Sequence, residues 1–447
     1  MENQIWHLIK AGTGACKDYI PEITSTSIQE EVSGMFSESN HIDKKARRKR
    51  VILTGVTSNV LVLGIVSLLT DASSEMIYPI MPYFLTAIGA TGLLIGLIEG
   101  ASETTASLVK VVSGWYSDRY RRRKPFITSG YGASSLVKPI FYLATHPLQV
   151  LGLRVVERIG KGVRSAPRDA LIADSTEPKY RGRAFGFHKA MDSTGAVIGP
   201  ILILPVLIAA STVTTGTYRL IFLLSALPAL LAVLIILLFV RDKEVQSTGK
   251  VGQFFKEMRQ LGRPFYLLLI VVVTFYIGEI SYAFFILQGA RHGFDIVDVT
   301  ILYILYNVVF VLTAIPAGVL SDRLGRMPVI AFSFIIFALT CLVMTNAGSW
   351  LLLALGFGLF GLYKGASEGV FKAFVTDFAP KNLRGTALGT FHTAVGLVML
   401  PGGIIAGLLW DKVAPWATFT YGIIMAIAAL VLLLVIVEEG RAKVTPV

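Results

Sequence analysis

The sequence predicts an all-α integral membrane protein, with twelve transmembrane helices set in two pseudo-symmetric six-helix bundles. Three observations predict it. The 447 residues are 54% hydrophobic and only 16% charged, against about 25% charged in a typical soluble domain. Apolar runs of roughly 20 residues recur from Leu53 onward, each long enough to cross a bilayer as a helix. A basic turn in the first half, Gly114 to Pro125 (GWYSDRYRRRKP), returns in the second as Gly318 to Pro328 (GVLSDRLGRMP), with Asp118 and Asp322 spaced 204 residues apart.

The apolar runs place the spans at 54–86, 91–113, 126–145, 148–172, 183–210, 217–240, 264–290, 297–320, 328–346, 350–375, 385–410 and 415–437. Residues 1–50 read as a polar tail ending in the basic cluster Lys44–Arg50, and 438–447 as a short second tail. The polar, mostly basic stretch 241–263 divides the spans into a first bundle, 51–240, and a second, 264–437. Basic residues fix the orientation. Lys44–Arg50, Arg119–Lys124, Lys179–Arg183, Arg241–Arg263, Arg323, Arg326, Lys381, Arg384, Arg441 and Lys443 share one side, whereas Arg219, Arg291 and Lys412 lie near the other. The positive-inside bias then puts both termini in the cytoplasm of a protein of the cell's inner membrane. It also explains the net charge of +12 without a nucleic-acid partner. The fourth span carries Arg154, Glu157, Arg158, Lys161, Arg164, Arg168 and Asp169, and hydropathy alone does not select it. Parity does, because without it the two Ser-Asp-Arg turns fall on opposite sides of the membrane.

Composition also excludes several functions. Cys16 lies in the polar tail and Cys341 in an apolar run, so no disulfide framework is indicated. No Cys or His spacing suits a metal, no glycine loop suits a nucleotide, and no nucleophile–base set is evident, so neither an enzyme nor a cofactor is expected. The expected partners are a small-molecule solute, a coupling proton and the lipid bilayer, with no oligomer required.

The duplication extends beyond the basic turns. Glu75 and Tyr78 match Glu279 and Tyr282 at an offset of 204; Lys161-Gly162 match Lys364-Gly365 at 203; Asp174 and Arg181-Gly182 match Asp377 and Arg384-Gly385 at 203. An even number of spans per half gives parallel repeats about an axis along the membrane normal. On these residues the chain from about Val51 to Val437 resembles the major facilitator superfamily. Its hallmark turn, Gly-x-x-x-Asp-Arg-x-Gly-Arg-Arg/Lys, is matched by Gly114, Asp118, Arg119, Arg122, Arg123 and Lys124, with Arg121 at the internal glycine. Gly318, Asp322, Arg323, Gly325 and Arg326 match it again. Arg158, Lys161, Gly162 and Arg164 fall in register with a second family pattern, Arg-x-x-Gln-Gly-x-Gly, with Lys for Gln and Arg for the last Gly. Gly195-x-x-x-Gly199-Pro200 is similar to the start of the family's antiporter signature, but Ile203 and Leu204 replace its next two glycines. The resemblance implies a cytoplasmic latch between the halves at Gly114, Asp118, Arg119, Arg122, Gly318, Asp322, Arg323 and Arg326. It also implies a central cavity lined by spans 1, 4, 7 and 10.

Ionisable residues at membrane depth are costly and so mark function. Asp71, Glu75 and Tyr78 share one face of the first span, with Pro79 and Pro82 bending it just beyond. Glu75, Glu279 and Asp71 are the candidate proton carriers. Arg158, Lys161, Lys364, Tyr78, Tyr282 and Glu368 are the candidate solute-binding residues, with Glu75–Lys161 and Glu279–Lys364 expected as two symmetric acid–base pairs. The competing reading makes the fourth-span cations an internal ion-pair network. Glu99 and Glu103 of the second span partner them or else flank the outer interface, and Lys364, Glu368 and Lys372 form an intrahelical ladder. His188 and His392 read as structural. The function expected is secondary active transport of a small solute, proton-coupled, by alternating access, favouring efflux by antiport. The alternatives are a drug-type cavity with Phe284, Phe285 and Tyr306, a carrier of organic anions or phosphorylated metabolites, and a non-transporting receptor or scaffold on the same fold.

Overall fold

The computed structural model describes residues 57–120, 122–210, 212–242 and 256–441, and every regular element among them is helical. The predicted N-terminal tail, residues 442–447 of the C-terminal one, most of the 241–263 linker and Arg121 lie outside these residues. In chain order the helices are α1 (Ser58–Glu75), α2 (Met81–Ala87), α3 (Gly92–Tyr120), α4 (Lys124–Ile140), α5 (Pro147–Asp174), α6 (Arg181–Ala209) and α7 (Thr215–Phe239). After the linker come α8 (Arg263–Ile277), α9 (Tyr282–Arg291), α10 (Ile296–Leu324), α11 (Arg326–Thr345), α12 (Trp350–Asp377), α13 (Arg384–Lys412) and α14 (Pro415–Arg441).

Local chemistry sets the ends. Thr57 caps α1, accepting from the Val60 N–H; Asp295 caps α10 and Ser349 caps α12 in the same way. His146 and Gln149 form a reciprocal cap on α5. Gly325, at φ +91°, makes the tight turn between α10 and α11 that a residue with a Cβ would resist. The bend expected at Pro79 and Pro82 is present: α1 ends at Glu75, and α2 resumes at Met81 after a run of turns. Its counterpart in the second half, the break between Ile277 and Tyr282, has no proline behind it and was not expected from the sequence.

Eight of the helical rods, all after Glu177, are long and apolar enough to cross a membrane among the described residues. The rods before them carry Asp71 and Glu75, Glu99 and Glu103, Lys138, and the α5 cations, and these charges lower their apolarity. The fourth span was expected to read as weakly apolar; α4, at 17 residues, and α1, which breaks at Glu75, are also short as single rods.

Small residues set how closely the rods approach, as they do where no hydrophobic force drives helices together. A Cβ on Gly195 or Gly199 of α6 would strike the α1 backbone at Leu68 or Ala72, and one on Gly130 of α4 would strike the Gly160 carbonyl of α5. The tightest seam joins the two halves. Gly92, Gly96 and Gly100 of α3 lie against Gly407, Gly403 and Met399–Leu400 of α13, backbone on backbone. The halves thus hold together as part of one compact unit, Val56–Val447. Gly403→Ala is expected to lower the unfolding midpoint in detergent, by about 1–3 kcal/mol of overpacking. Gly132→Ala, where a Cβ meets nothing within 4 Å, should leave the midpoint unchanged.

Candidate functional site

The basic stripe of α5 faces protein. Arg154, fully buried, bridges two acids: Nη1 lies 2.8 Å from Glu157 and Nη2 3.4 Å from Glu99 of α3. One turn on, Arg158 pairs with Glu103 of α3 at 3.3 Å. Both guanidinium groups lie over the Tyr78 ring, 5.1 and 5.6 Å from its centre. Arg164 donates to Ser134 at 2.9 Å and covers the Tyr131 ring, and Arg168 pairs with Asp169. Of the alternatives left open for Glu99 and Glu103, the structure therefore shows the ion-pair partnership with the fourth span. Lys161 is the exception on this face. It is exposed, and no carboxylate among the described residues lies within 4.0 Å of its ammonium.

Lys161 opens onto a cavity of about 330 Å³ between the two halves. The first half supplies Glu99, Glu103 and Lys161, and the second supplies Glu279, Tyr282, Tyr306, Phe360, Lys364 and Glu368. The break between α8 and α9 turns Glu279 inward. Its Oε1 takes both the Lys364 ammonium and the Tyr363 hydroxyl, the latter at 2.7 Å, while Oε2 has no hydrogen-bond partner. The Tyr282 hydroxyl is also without a partner among the described residues.

The cavity is shut toward the Gly92 end. Below the glycine seam, Asp411 accepts from the Gly92 and Leu93 N–H groups, both at 2.8 Å, capping α3 across the interface. Tyr83 donates to the Phe294 carbonyl at 2.9 Å. In the opposite direction lie Glu368 and Lys372, 43% and 44% exposed, so that side of the wall reaches solvent.

Of the candidate solute-binding residues, Lys161, Lys364, Tyr282 and Glu368 line the cavity, whereas Arg158 and Tyr78 stand behind its wall. Of the candidate proton carriers, Glu279 lines it. Asp71 lies beside Asp192 of α6, which accepts from Ser67 and Lys189. The expected symmetry of acid–base pairs is corrected: Glu279–Lys364 forms, but Glu75 has no cation within 4.0 Å among the described residues and takes a 2.8 Å hydrogen bond from Tyr303 of α10 instead. Pairing is asymmetric because Lys161 points into the cavity while Glu75 points across the interface. The expected α12 ladder keeps its Glu368–Lys372 rung and loses Lys364 to Glu279. Phe285, expected on a drug-type wall, is buried among Phe357, Phe360 and Phe419.

Part of the predicted latch lies within the described residues. Gly114 lies close to Ala166 of α5, but a Cβ on Gly318 would meet nothing, so only the first glycine serves close approach. Arg326 pairs with Asp322 of its own half at 3.3 Å and Asp377 of α12 at 2.7 Å. Arg119, Arg122 and Arg323 are exposed, and the Asp118 side chain lies outside the described residues. Hydrogen bonds between the halves include those of Asp411 and Tyr83 at the other end, Tyr303 to Glu75, and Thr104 to the Gly396 carbonyl at 2.5 Å. Nothing in the sequence marked Asp411. Lys138 was also missed, although a lysine inside an apolar run is a signal in itself. It is fully buried in α4 and donates to Ser73 and Ser74 of α1 at 2.5 and 3.1 Å.

Comparison with known proteins gives one consistent result. The family model described as Major Facilitator Superfamily matches residues 63–306 and 268–447. An uncharacterised MFS-type transporter of Methanocaldococcus jannaschii is 37% identical over 388 residues, 85% of this chain and 95% of that protein. Multidrug resistance protein 2 of Bacillus subtilis is 24% identical over 381 residues, 82% and 91% of the two chains. Among solved structures, the nucleoside transporter NupG superposes with a TM-score of 0.67 at 14% identity, covering 87% of this chain and 100% of that one. The human organic anion transporter MFSD10 superposes at 0.61 and 17% identity, covering 84% and 99%. At these identities the structural likeness establishes the fold.

Arg154→Met should be the most damaging change in the network, because it leaves Glu99 and Glu157 buried without their cation. Breaking such a pair costs about 3–5 kcal/mol. The folded yield and unfolding midpoint of Arg154→Met should fall well below those of Arg168→Met, whose partner Asp169 is already 38% exposed.

Proposed function

The chain belongs to the Major Facilitator Superfamily of membrane transporters, and we propose that it is a proton-coupled antiporter that exports a small solute across the cell's inner membrane. In this reading the two broken rods, α1–α2 and α8–α9, each count as one span, giving twelve in two six-helix halves. The basic ends are cytoplasmic, as are both termini. The cavity then faces the cytoplasm, and the glycine seam with Asp411 is the closed outer gate. Rocking of the halves about the cavity would open that gate and close the inner one, the Ser-Asp-Arg turns meeting as a latch only in the outward-open state.

The observation that carries the proton coupling is Glu75. It is an acid on a membrane-depth helix with no cation beside it, and its hydrogen bond comes from Tyr303 in the other half. Tyr303 in turn touches Tyr282 and Tyr306 on the cavity wall, with ring centres 5.6 and 5.4 Å away. A proton gained or lost at Glu75 would alter a contact between the halves next to the solute. Glu279, bonded to Lys364 and Tyr363, is better suited to hold its charge and to shape the wall. Export is supported by the partial antiporter signature, since Gly195 and Gly199 set α6 against the helix bearing Asp71 and Glu75. The Bacillus relatives named for multidrug resistance support it as well. A second reading, a carrier of organic anions or phosphorylated metabolites, is favoured by the free ammonium of Lys161.

Reconstituted in liposomes with a pH-sensitive dye inside, the protein should move protons when a transported solute is added. Glu75→Gln should abolish proton movement while retaining solute exchange at equal pH on both sides. Undiminished proton-driven transport by Glu75→Gln would remove Glu75 from the mechanism. Absence of any flux for a broad solute panel would favour the receptor or scaffold.

A further inference from the structure

We propose that the cavity takes a small amphipathic amino or hydroxy acid, its carboxylate held by Lys161 and its hydrogen-bond donor held by Glu279 Oε2 and the Tyr282 hydroxyl. This rests on the transport reading for its biological meaning and on the cavity wall alone for its chemistry.

The argument is one of unmet bonds. The other charges on or behind the wall are held in ion pairs inside the protein: Arg154 is shared by Glu157 and Glu99, Arg158 pairs with Glu103, Lys364 with Glu279, and Lys372 with Glu368. Lys161 is exposed on the wall and makes no ion pair among the described residues. An ammonium so placed attracts an anion and repels a lipophilic cation. Two further wall groups lack partners. Glu279 is 2% exposed, and Lys364 and Tyr363 both occupy Oε1, leaving Oε2 as an empty acceptor. The Tyr282 hydroxyl is equally unbonded. Buried polar atoms are nearly always satisfied, and these two belong to residues of the same wall, so a donor brought in by a solute would complete both once their side chains turn to it. Because Lys364 already balances the Glu279 charge, Oε2 asks for a donor, and a hydroxyl or an ammonium group both provide one.

Tyr306 and Phe360 supply the surface between these polar ends. Their rings lie 5.2 Å apart on the same wall, and Phe284 and Met399 extend the apolar area. Lys161 belongs to the first half, whereas Glu279 and Tyr282 belong to the second. A solute carrying both groups therefore ties the halves together, and one carrying a single group does not. Binding energy of that kind is spent on the approach of the halves, which is what a carrier requires of its substrate.

Four probes on one scaffold test the assignment against purified full-length protein in detergent. They are phenylalanine, 3-phenyllactate, 3-phenylpropanoate, which lacks the donor, and 2-phenylethylamine, which lacks the anion. Calorimetry should rank the first two above the others. Lys161→Met should weaken the three acids by about tenfold or more and leave the amine no weaker than in wild type. Tyr282→Phe should erase much of the advantage of phenylalanine and phenyllactate over phenylpropanoate. Neither side chain makes an internal ion pair or hydrogen bond, so both variants should fold with unchanged midpoints. The assignment is overturned if the amine binds as tightly as phenylalanine, if Lys161→Met binds the acids like wild type, or if none of the four binds. The transport reading fails separately. Probes that bind as expected but are not exchanged across proteoliposomes overturn transport and leave the site. Exchange that proceeds equally in Lys161→Met overturns the site and leaves transport.

Discussion

A charge inside a membrane protein must find an opposite charge, water or a ligand, and the first half of this molecule is built around that requirement. Arg154 carries the heaviest share. It sits fully buried between Glu157 on its own helix and Glu99 on α3, so α3 and α5 are held in one register. Arg158 repeats the arrangement a turn later with Glu103, and Tyr78 lays its ring under both cations. Once these bonds are made, the α5 stripe ceases to be a liability and becomes the rigid back of the cavity. Lys161, on the same face but beyond the reach of an acid, is left to the cavity itself.

The second half solves a related problem by other means. Glu279 reaches its position because the helix breaks beside it, and Lys364 and Tyr363 then anchor one of its oxygens. The two halves are thus similar in course and unlike in chemistry: one wall presents a free cation, the other a free acceptor and a free hydroxyl. That difference gives the cavity polarity across the interface. The seam that shuts one end depends on backbone rather than side chains. Glycines bring α3 and α13 into contact, and Asp411 places its carboxylate on the exposed N–H groups at the start of α3, where the helix dipole favours an anion. A closure made of a few hydrogen bonds and a glycine seam contains no buried ion pair, so separating it strands no charge.

Much of the architecture was legible in the residues. The apolar runs, the basic turns and the half-chain offset gave the all-helical class, most of the helix order and the family. The shared face of Arg154, Arg158 and Lys161 followed from helical spacing. What spacing could not give was which cations would be paired. Glu75 and Lys161 stand in the same relation as Glu279 and Lys364 along the chain, yet only the second pair meets. Likewise Gly318 repeats Gly114 in sequence, but no helix lies against it. Duplicated residues diverge in role when their neighbours come from different helices, and those neighbours are not encoded at the repeat itself.

The sequence by itself determined the membrane class, the family, the helical course and the set of ionisable residues placed at membrane depth, because hydropathy, charge bias and repeats are local or periodic properties of the chain. The tertiary structure decided which of those ionisable groups neutralise one another, which remain open to the cavity, and which end of the molecule is shut. Those outcomes turn on ångström-scale distances between helices far apart in sequence. Asp411 meets Gly92, and Tyr303 meets Glu75, only once the two halves have come together.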